Sequence, residues 1–191
     1  MSLFRPLKLA ATLVGVLGLS ASVAAMSFLP GCASHQAKPP VPLNDRSGAP
    51  FADRIIVKKS QRRLYLMRDG EPLRTYRISL GIEPEGRKQR RGDNRTPEGS
   101  YYIDWRNSHS RFNKALSISY PNREDRLRAA RYGWDPGGSI MIHGEPRRGD
   151  AGLQDMVRKE DWTQGCIAVS NLAIEEIWRY TLDGTPIEIL P

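Results

Sequence analysis

Residues 54–80 read RIIVKKSQRRLYLMRDGEPLRTYRISL, and their pattern is the clearest indication of the fold class. Its β-branched and aromatic residues indicate strands at 54–58 and 63–68. Asp69-Gly70 predicts a hairpin turn, because a type I′ turn needs positive φ at both central positions. The returning strand is predicted over 73–80, since its residues alternate between two faces. The domain therefore opens with antiparallel β-structure.

The remaining pattern is one of short strands separated by turn residues. Further strands are predicted at 101–105, 115–119, 139–143 and 186–189, and helices after Asn122, at 151–159 and at 171–181. Asn122 is suited to cap the first helix, and Gly133 to follow its end. Leu172, Ile174, Ile177 and Trp178 suggest the apolar face of the last helix. The fold class is thus mainly β with a few short helices, built as a sandwich or barrel-like core.

The N-terminus has the pattern of an export signal. Arg5 and Lys8 precede an uncharged apolar run from Leu9 to Leu29, which Leu29-Pro30-Gly31-Cys32 closes. That ending resembles the lipobox of bacterial lipoproteins, with Pro30 as an unusual member, and it implies lipidation of Cys32. Two alternatives remain: cleavage by an ordinary signal peptidase after Val23-Ala24-Ala25, or an uncleaved membrane anchor.

All three interpretations place the rest of the chain outside the cytoplasm. We therefore predict an export signal over 1–31, a linker rich in Pro, Ala, Ser and Gly over 32–51, and one catalytic domain over 52–191. The predicted location is the bacterial cell envelope, on its periplasmic side, with a lipid anchor in the membrane.

The chain carries a net charge of +8. Export argues against a nucleic-acid partner, and no nucleic-acid motif is present. The charge serves either solubility or attraction to an anionic wall polymer. The segment 82–99 is predicted to be a mobile, solvated loop; the alternative is a basic lip that attracts an acidic substrate. Five basic residues lie in it: Arg87, Lys88, Arg90, Arg91 and Arg95.

Cys166 is the residue that points to chemistry. With Cys32 consumed by the anchor, an exported protein keeps one cysteine that cannot form an internal disulfide. His143-Gly144 ends a predicted strand upstream, and an imidazole can take a thiol proton. Gly165 gives the backbone the freedom to aim successive N–H groups at an oxyanion. His109, in a polar segment predicted to be a loop, is the competing base.

These motifs together resemble the L,D-transpeptidase (YkuD-domain) family. The resemblance rests on His143-Gly144 and on the segment Trp162-Thr163-Gln164-Gly165-Cys166-Ile167-Ala168-Val169-Ser170-Asn171. The opening hairpin, Thr96-Pro97-Glu98-Gly99 and the segment 117–122 also fit, so that the resemblance covers about 52–191.

The resemblance implies a cysteine enzyme that acts on peptidoglycan. Such enzymes attack the bond between diaminopimelate and D-alanine in a stem tetrapeptide and form a thioester, which an amine then resolves as a cross-link. Cys166 matches the nucleophile and His143 the general base. The oxyanion-hole and supporting residues are Thr163, Gln164, Gly165 and Gly144, and Tyr120 is assigned to substrate binding.

Two departures from the family pattern leave the outcome of the reaction open. Gln164 stands where histidine is commoner, and Ala168 where arginine is commoner. An L,D-carboxypeptidase or a related wall hydrolase is the first alternative, and a non-catalytic wall-binding lipoprotein the second. Three histidines and one usable cysteine are too few for a zinc site. We therefore expect no metal and no cofactor.

Overall fold

The computed structural model describes residues 50–146 and 160–191, and within them the chain is mainly β. It contains eight strands and two helices in these ranges: β1 Arg54–Lys58, β2 Arg63–Arg68, β3 Glu71–Arg77, β4 Gly99–Ser110, β5 Asn113–Ile118, α1 Arg123–Ala130, β6 Met141–His143, β7 Ile167–Ala168, α2 Asn171–Tyr180 and β8 Pro186–Leu190. The mainly β prediction is confirmed.

The opening hairpin forms as its turn residues predict. Asp69 and Gly70 have φ values of +51° and +86°, the two positive angles that a type I′ turn needs. Pro72 pairs with Met67, where the register between β2 and β3 shifts. A missing N–H is tolerated at such an irregularity. The third strand starts two residues earlier and ends three residues earlier than predicted.

The strands form one hydrogen-bonded order, β3-β2-β1-β8-β4-β5-β6-β7. β4 joins the two halves of this order, because the first residues of β4 pair with β8 and its later residues pair with β5. The segment after β3 then pairs with the opposite end, through the bridges Ser79–Ala168 and Gly81–Thr163. These bridges bring the two ends of the strand order together, as the barrel-like prediction requires.

The core lies inside this arrangement. Alternate residues of β1 and β2 are buried, and they meet inward-facing residues of the other strands and of α2. Ile174 and Ile177 supply the buried face of α2. The prediction for Leu172 is wrong: this side chain is 83% exposed. Ala173 packs inward instead, so that the buried stripe of α2 runs through 173, 174 and 177.

Both helices begin at side-chain caps. Asn122 accepts from the Asp125 N–H, and the Asp125 carboxylate accepts from the Asn122 N–H, which is a reciprocal capping box. Gly133 follows the helix with φ at +68°, so the predicted start and end of α1 are confirmed. Ser170 caps α2 through a bond from the Ala173 N–H.

Several predictions fall on residues that the structure does not describe. The export signal, Cys32, nearly all of the linker and the helix at 151–159 lie outside the described residues. Phe51 is described: it is buried, and its carbonyl accepts from Arg68, so the packed region includes the last residue of the predicted linker. In the described ranges, neither helix has the length and apolarity to cross a membrane.

Candidate active site

His143 ends β6 beside Gly144, where the backbone is closely packed. β6 pairs with β5 on one side and with β7 on the other, so His143 sits between Ala115 and Ala168. A Cβ atom on Gly144 would lie 2.6 Å from Asn171 Oδ1 and 2.9 Å from the Phe112 carbonyl oxygen. Only glycine fits there, which explains the His-Gly pair in structural terms.

A backbone carbonyl orients the His143 ring. Its Nδ1 lies 2.7 Å from the Gly144 oxygen. A carbonyl only accepts hydrogen bonds, so Nδ1 carries the hydrogen and the neutral ring keeps its lone pair on Nε2. The residue is 4% exposed, and this burial lowers the pKa of His143, although the Gly144 bond opposes the shift. Nε2 is therefore the basic atom of the site.

Two aromatic side chains enclose the His143 ring. Phe112 lies with its ring centroid 4.5 Å from that of the imidazole and tilted by 32°. Trp162 meets the imidazole edge-on at 5.7 Å. These contacts limit rotation of the ring and exclude water from it.

The turn before Cys166 is organised by Thr163. The Thr163 hydroxyl donates to the Cys166 carbonyl at 2.7 Å and accepts from the Gly165 N–H at 3.1 Å. Gly165 has φ at +123°, and a Cβ atom there would lie 2.6 Å from the Arg95 carbonyl oxygen. Both the conformation and the close approach require glycine.

Cys166 is a free cysteine that is partly exposed. Its Sγ lies 3.6 Å from the Ser139 carbonyl oxygen, to which the thiol donates. Burial of the sulfur raises the pKa of the Cys166 thiol; the Met141 N–H and the charge of Lys88 oppose that shift. The raised pKa favours the neutral thiol, which the backbone before β6 holds.

Two cavities meet at Cys166 and Gln164. The first, of about 300 Å³, we call the aromatic cavity; it is lined by Arg111, Phe112, His143, Trp162, Thr163, Gln164 and Cys166. The second, of about 330 Å³, we call the basic cavity; it is lined by Lys88, Arg91, Gly92, Asn94, Gly137, Gly138, Ser139, Ile140, Gln164 and Cys166. The aromatic cavity thus holds the thiol and the imidazole together, while the basic cavity gives a second access to the sulfur.

Several of the predicted site residues come together, and two others lie elsewhere. Thr163, Gln164 and Cys166 line the aromatic cavity with His143. His109 is not in a loop but in β4, where it is exposed and its Nδ1 lies 3.0 Å from the Ser108 hydroxyl. Tyr120 is 6% exposed and donates its hydroxyl to the Pro136 carbonyl, which gives it a packing role outside both cavities.

The solvated-loop interpretation of 82–99 is wrong at Lys88, which is 4% exposed. Its ammonium pairs with Asp93 at 2.6 Å. The Asp93 carboxylate also accepts from the N–H groups of Gln89, Arg90 and Arg95. The loop is therefore folded around an internal ion pair, and it presents part of this pair to the basic cavity.

Sequence reasoning missed Phe112 and Ser139 as parts of the site, whereas Lys88 belongs to the basic segment for which a substrate-attracting lip was the alternative interpretation. Phe112 comes close only because β5 pairs with β6, and a single sequence carries no signal of that pairing. Ser139 has φ at +57°, for which the preceding Gly137-Gly138 was the available hint. Within the described residues, no group of three or more His, Cys, Asp or Glu side chains is placed to hold a metal ion.

Comparisons with known proteins agree with this geometry. The family profile of the L,D-transpeptidase catalytic domain, YkuD, matches residues 52–189. The Escherichia coli K12 protein named "Putative L,D-transpeptidase YafK" is 33% identical over 139 residues, which are 70% of this chain and 48% of that protein.

Solved structures give the same fold. The helical cell shape determining protein Pgp2 from Campylobacter jejuni superposes with a TM-score of 0.54 at 25% identity, over 71% of this chain and 46% of that one. Bd1075 from Bdellovibrio bacteriovorus superposes with a TM-score of 0.50 at 24% identity, over 73% of this chain and 48% of that one. The chain spans about half the length of these relatives. The profile match covers most of the chain, so the resemblance seen in the sequence is confirmed and the chain belongs to the YkuD L,D-transpeptidase family.

Proposed function

We propose that this protein is a peptidoglycan L,D-transpeptidase that works through a thioester on Cys166. One observation carries the proposal: Cys166 and His143 line the same cavity, and the Gly144 carbonyl holds His143 in the tautomer that leaves Nε2 basic. A thiol beside such an imidazole is the pairing that nucleophilic cysteine catalysis uses. The substrate would be the bond between diaminopimelate and D-alanine of a stem tetrapeptide.

The acylation step moves one proton through His143. Nε2 takes the proton from the thiol as Sγ bonds to the diaminopimelate carbonyl carbon. The imidazolium then gives this proton to the nitrogen of D-alanine as the C–N bond breaks. The products are a thioester on Cys166, free D-alanine and a neutral imidazole, so that the residue is ready for the second half of the reaction.

The oxyanion would be met by the backbone of the turn before β7. The Gly165 N–H already donates to Thr163 Oγ1. We therefore assign the donors to the N–H groups of Gln164 and Cys166, with Gly165 and Thr163 shaping the turn. Gly144 supports the site by orienting His143 rather than by contacting the oxyanion.

The alternative is an L,D-carboxypeptidase that resolves the same thioester with water. Among the described residues lining the two cavities, His143 is the side chain that can accept a proton at neutral pH. Water needs only this one base. An amine acceptor arrives as an ammonium ion and must lose an additional proton, while Gln164, a neutral amide, cannot take it.

Product analysis separates the candidates. The purified domain is incubated with tetrapeptide muropeptides, and the products are resolved by mass spectrometry. Cross-linked dimers and exchange of D-alanine support transpeptidation; tripeptide monomers alone support the carboxypeptidase. In both cases Cys166→Ala abolishes the products, whereas His109→Ala, a control outside the site, leaves them unchanged. If the wild-type protein gives no product and no covalent adduct with a carbapenem, the non-catalytic wall-binding protein is the better description.

The substrate implies a place in the cell envelope, on the periplasmic side. We propose a lipid anchor at Cys32, because of the lipobox-like ending of the apolar run. Pgp2 is named for determining helical cell shape, and a role in shaping the wall is proposed here on that likeness. Mass spectrometry of the mature N-terminus tests the anchor: a diacylglyceryl cysteine supports it, and an N-terminus after Ala25 contradicts it.

A further inference from the structure

The basic cavity has no part in the proton transfers at His143, yet it opens on the reacting sulfur. We propose that it is a carboxylate subsite for the acyl donor, with Lys88 and Arg91 as its cations. This inference rests on the proposed function, and it adds that the protein recognises a carboxylate of the acyl donor.

Lys88 is built into the wall of this cavity. Its Nζ donates to Asp93 Oδ1 at 2.6 Å and to the Arg90 carbonyl at 3.1 Å. An ammonium group has three hydrogens, and these bonds use two of them within the described residues. A buried ammonium in a cavity wall is costly unless it is paired, and the remaining hydrogen can bond to an anion that enters the cavity.

Asp93 does not cancel the effect of Lys88 at the sulfur. The Asp93 carboxylate spreads its charge over three backbone N–H groups as well as the ammonium. The positive charge of Lys88 still acts to lower the pKa of the Cys166 thiol. An anionic group in the basic cavity would therefore lie in a positive potential close to the attacked bond.

Arg91 supplies a second, more exposed cation at the same cavity. Its Nε donates to Asp135 Oδ2 at 2.6 Å, and its backbone N–H donates to the Asp135 carbonyl. These two bonds hold the arginine beside the Gly137-Gly138 wall of the cavity. A guanidinium group carries five N–H donors, so that it can keep Asp135 and still bind a carboxylate.

The position of His143 indicates which part of the substrate enters the basic cavity. His143 lies in the aromatic cavity and must protonate the leaving amine, so D-alanine departs on that side. The acyl residue then extends from Cys166 into the basic cavity. Diaminopimelate carries a side-chain carboxylate, and the γ-linked glutamate before it carries an α-carboxylate. Either can supply the anion, since each lies within about two residue lengths, or 8 Å, of the attacked carbonyl.

The test compares free and amidated substrates. Four tetrapeptides are used: unmodified, amidated on the diaminopimelate side chain, amidated on the glutamate α-carboxyl, and amidated on the terminal D-alanine. The rate at which the terminal D-alanine or its amide is released gives kcat/KM for each substrate. We expect wild-type kcat/KM to fall by about 10- to 100-fold for one of the two acyl-side amides, since a charge-assisted bond is lost.

The variants show where the discrimination arises. Arg91→Gln removes the exposed cation, and the pair Lys88→Gln with Asp93→Asn removes the buried cation without leaving its partner as an unpaired charge. We expect these variants to process the discriminated amide and the free acid at similar rates. Arg90→Gln is the matched control, because it removes a neighbouring charge of the same loop that does not line the cavity. Thermal unfolding confirms that each variant is folded.

Equal rates for the free acid and both acyl-side amides in the wild type would overturn the subsite. So would discrimination that survives in folded Arg91→Gln and Lys88→Gln/Asp93→Asn proteins, or discrimination confined to the terminal D-alanine amide. A wild-type protein that releases no D-alanine from any substrate contradicts the proposed function itself, and the subsite with it.

Discussion

Burial acts in the same sense on His143 and Cys166, the two side chains proposed to react. It favours the neutral imidazole of His143 and the neutral thiol of Cys166, because each charged form loses hydration in the site. The Met141 N–H and Lys88 favour the thiolate, but the pKa of the thiol remains raised. We therefore expect the resting site to be a neutral pair, with proton transfer accompanying attack instead of preceding it.

This neutral pair predicts the pH dependence of the enzyme. The pKa of His143 is lowered, so the neutral base stays available below the ordinary imidazole pKa of 6.5, and the acid limb of kcat/KM lies below that pH.

The pKa of Cys166 is raised, so thiolate absorbance at 240 nm is absent at pH 7 and grows only above the ordinary thiol range. Cys166→Ser supplies the baseline. A 240-nm signal at pH 7 that disappears in His143→Ala would instead reveal a resting ion pair.

At the scale of elements, the connection from β3 to β4 is held by a second buried lysine. Lys59 donates to the Gly86 carbonyl at 2.6 Å, the Thr96 carbonyl at 3.2 Å and the Glu98 carboxylate at 2.8 Å. One ammonium thus joins three positions of this connection, which carries Lys88 and Arg91 to the basic cavity. Burial lowers the pKa of Lys59, although the ion pair with Glu98 opposes the shift.

We therefore expect Lys59→Met to destabilise the domain by about 3–5 kcal/mol, since it leaves Glu98 and two carbonyls without their donor. Hydrogen exchange should rise across 82–98, and adding Glu98→Gln should restore part of the stability by removing the unpaired charge. Lys58→Met is the control, because Lys58 is the adjacent residue and is half-buried. It should change the free energy of unfolding by less than about 1 kcal/mol. Denaturant unfolding measures both; equal effects at 58 and 59 would contradict the prediction.

The elements also show what a single sequence can and cannot predict. Asp69-Gly70 and Asn122 were predictable, because a turn and a cap depend on backbone preferences within a few residues. Leu172 and Lys88 were not, because the burial of each depends on which surfaces the fold brings against it. The same holds for the candidate site. The sequence motifs singled out Cys166 and His143, which line one cavity, whereas the position of Phe112 in that cavity depends on the pairing of β5 with β6.

At the scale of the whole molecule, the backbone hydrogen bonds that join the two ends of the strand order lie close to Cys166. The stability of the sheet and the geometry of the candidate site should therefore be linked. Ser79 and Ala168 exchange two backbone hydrogen bonds of 2.8 Å, and Ala168 lies two residues after Cys166. This reciprocal pair joins the segment after β3 to β7, the two ends of the order. Loss of closure should therefore disturb Cys166 as well as the sheet.

Ser79→Pro tests this link, because proline removes the Ser79 N–H and leaves the Ala168 carbonyl without its donor. We expect a loss of about 1–3 kcal/mol in the free energy of unfolding, together with slower acylation of Cys166. Ser79→Ala keeps both backbone bonds and should match the wild type in both measurements. A proline variant that is destabilised but is acylated at the wild-type rate would show that the pairing of the two strand ends does not affect Cys166.

The edge-on contact between Trp162 and His143 has an optical consequence. An imidazolium ion quenches indole fluorescence far more strongly than a neutral imidazole does, and this indole lies 5.7 Å from the ring, centroid to centroid. The fluorescence of Trp162 should therefore respond to the charge on His143. With Trp105, Trp134 and Trp178 replaced by phenylalanine, the remaining emission would report the protonation of His143 without any label attached to the protein.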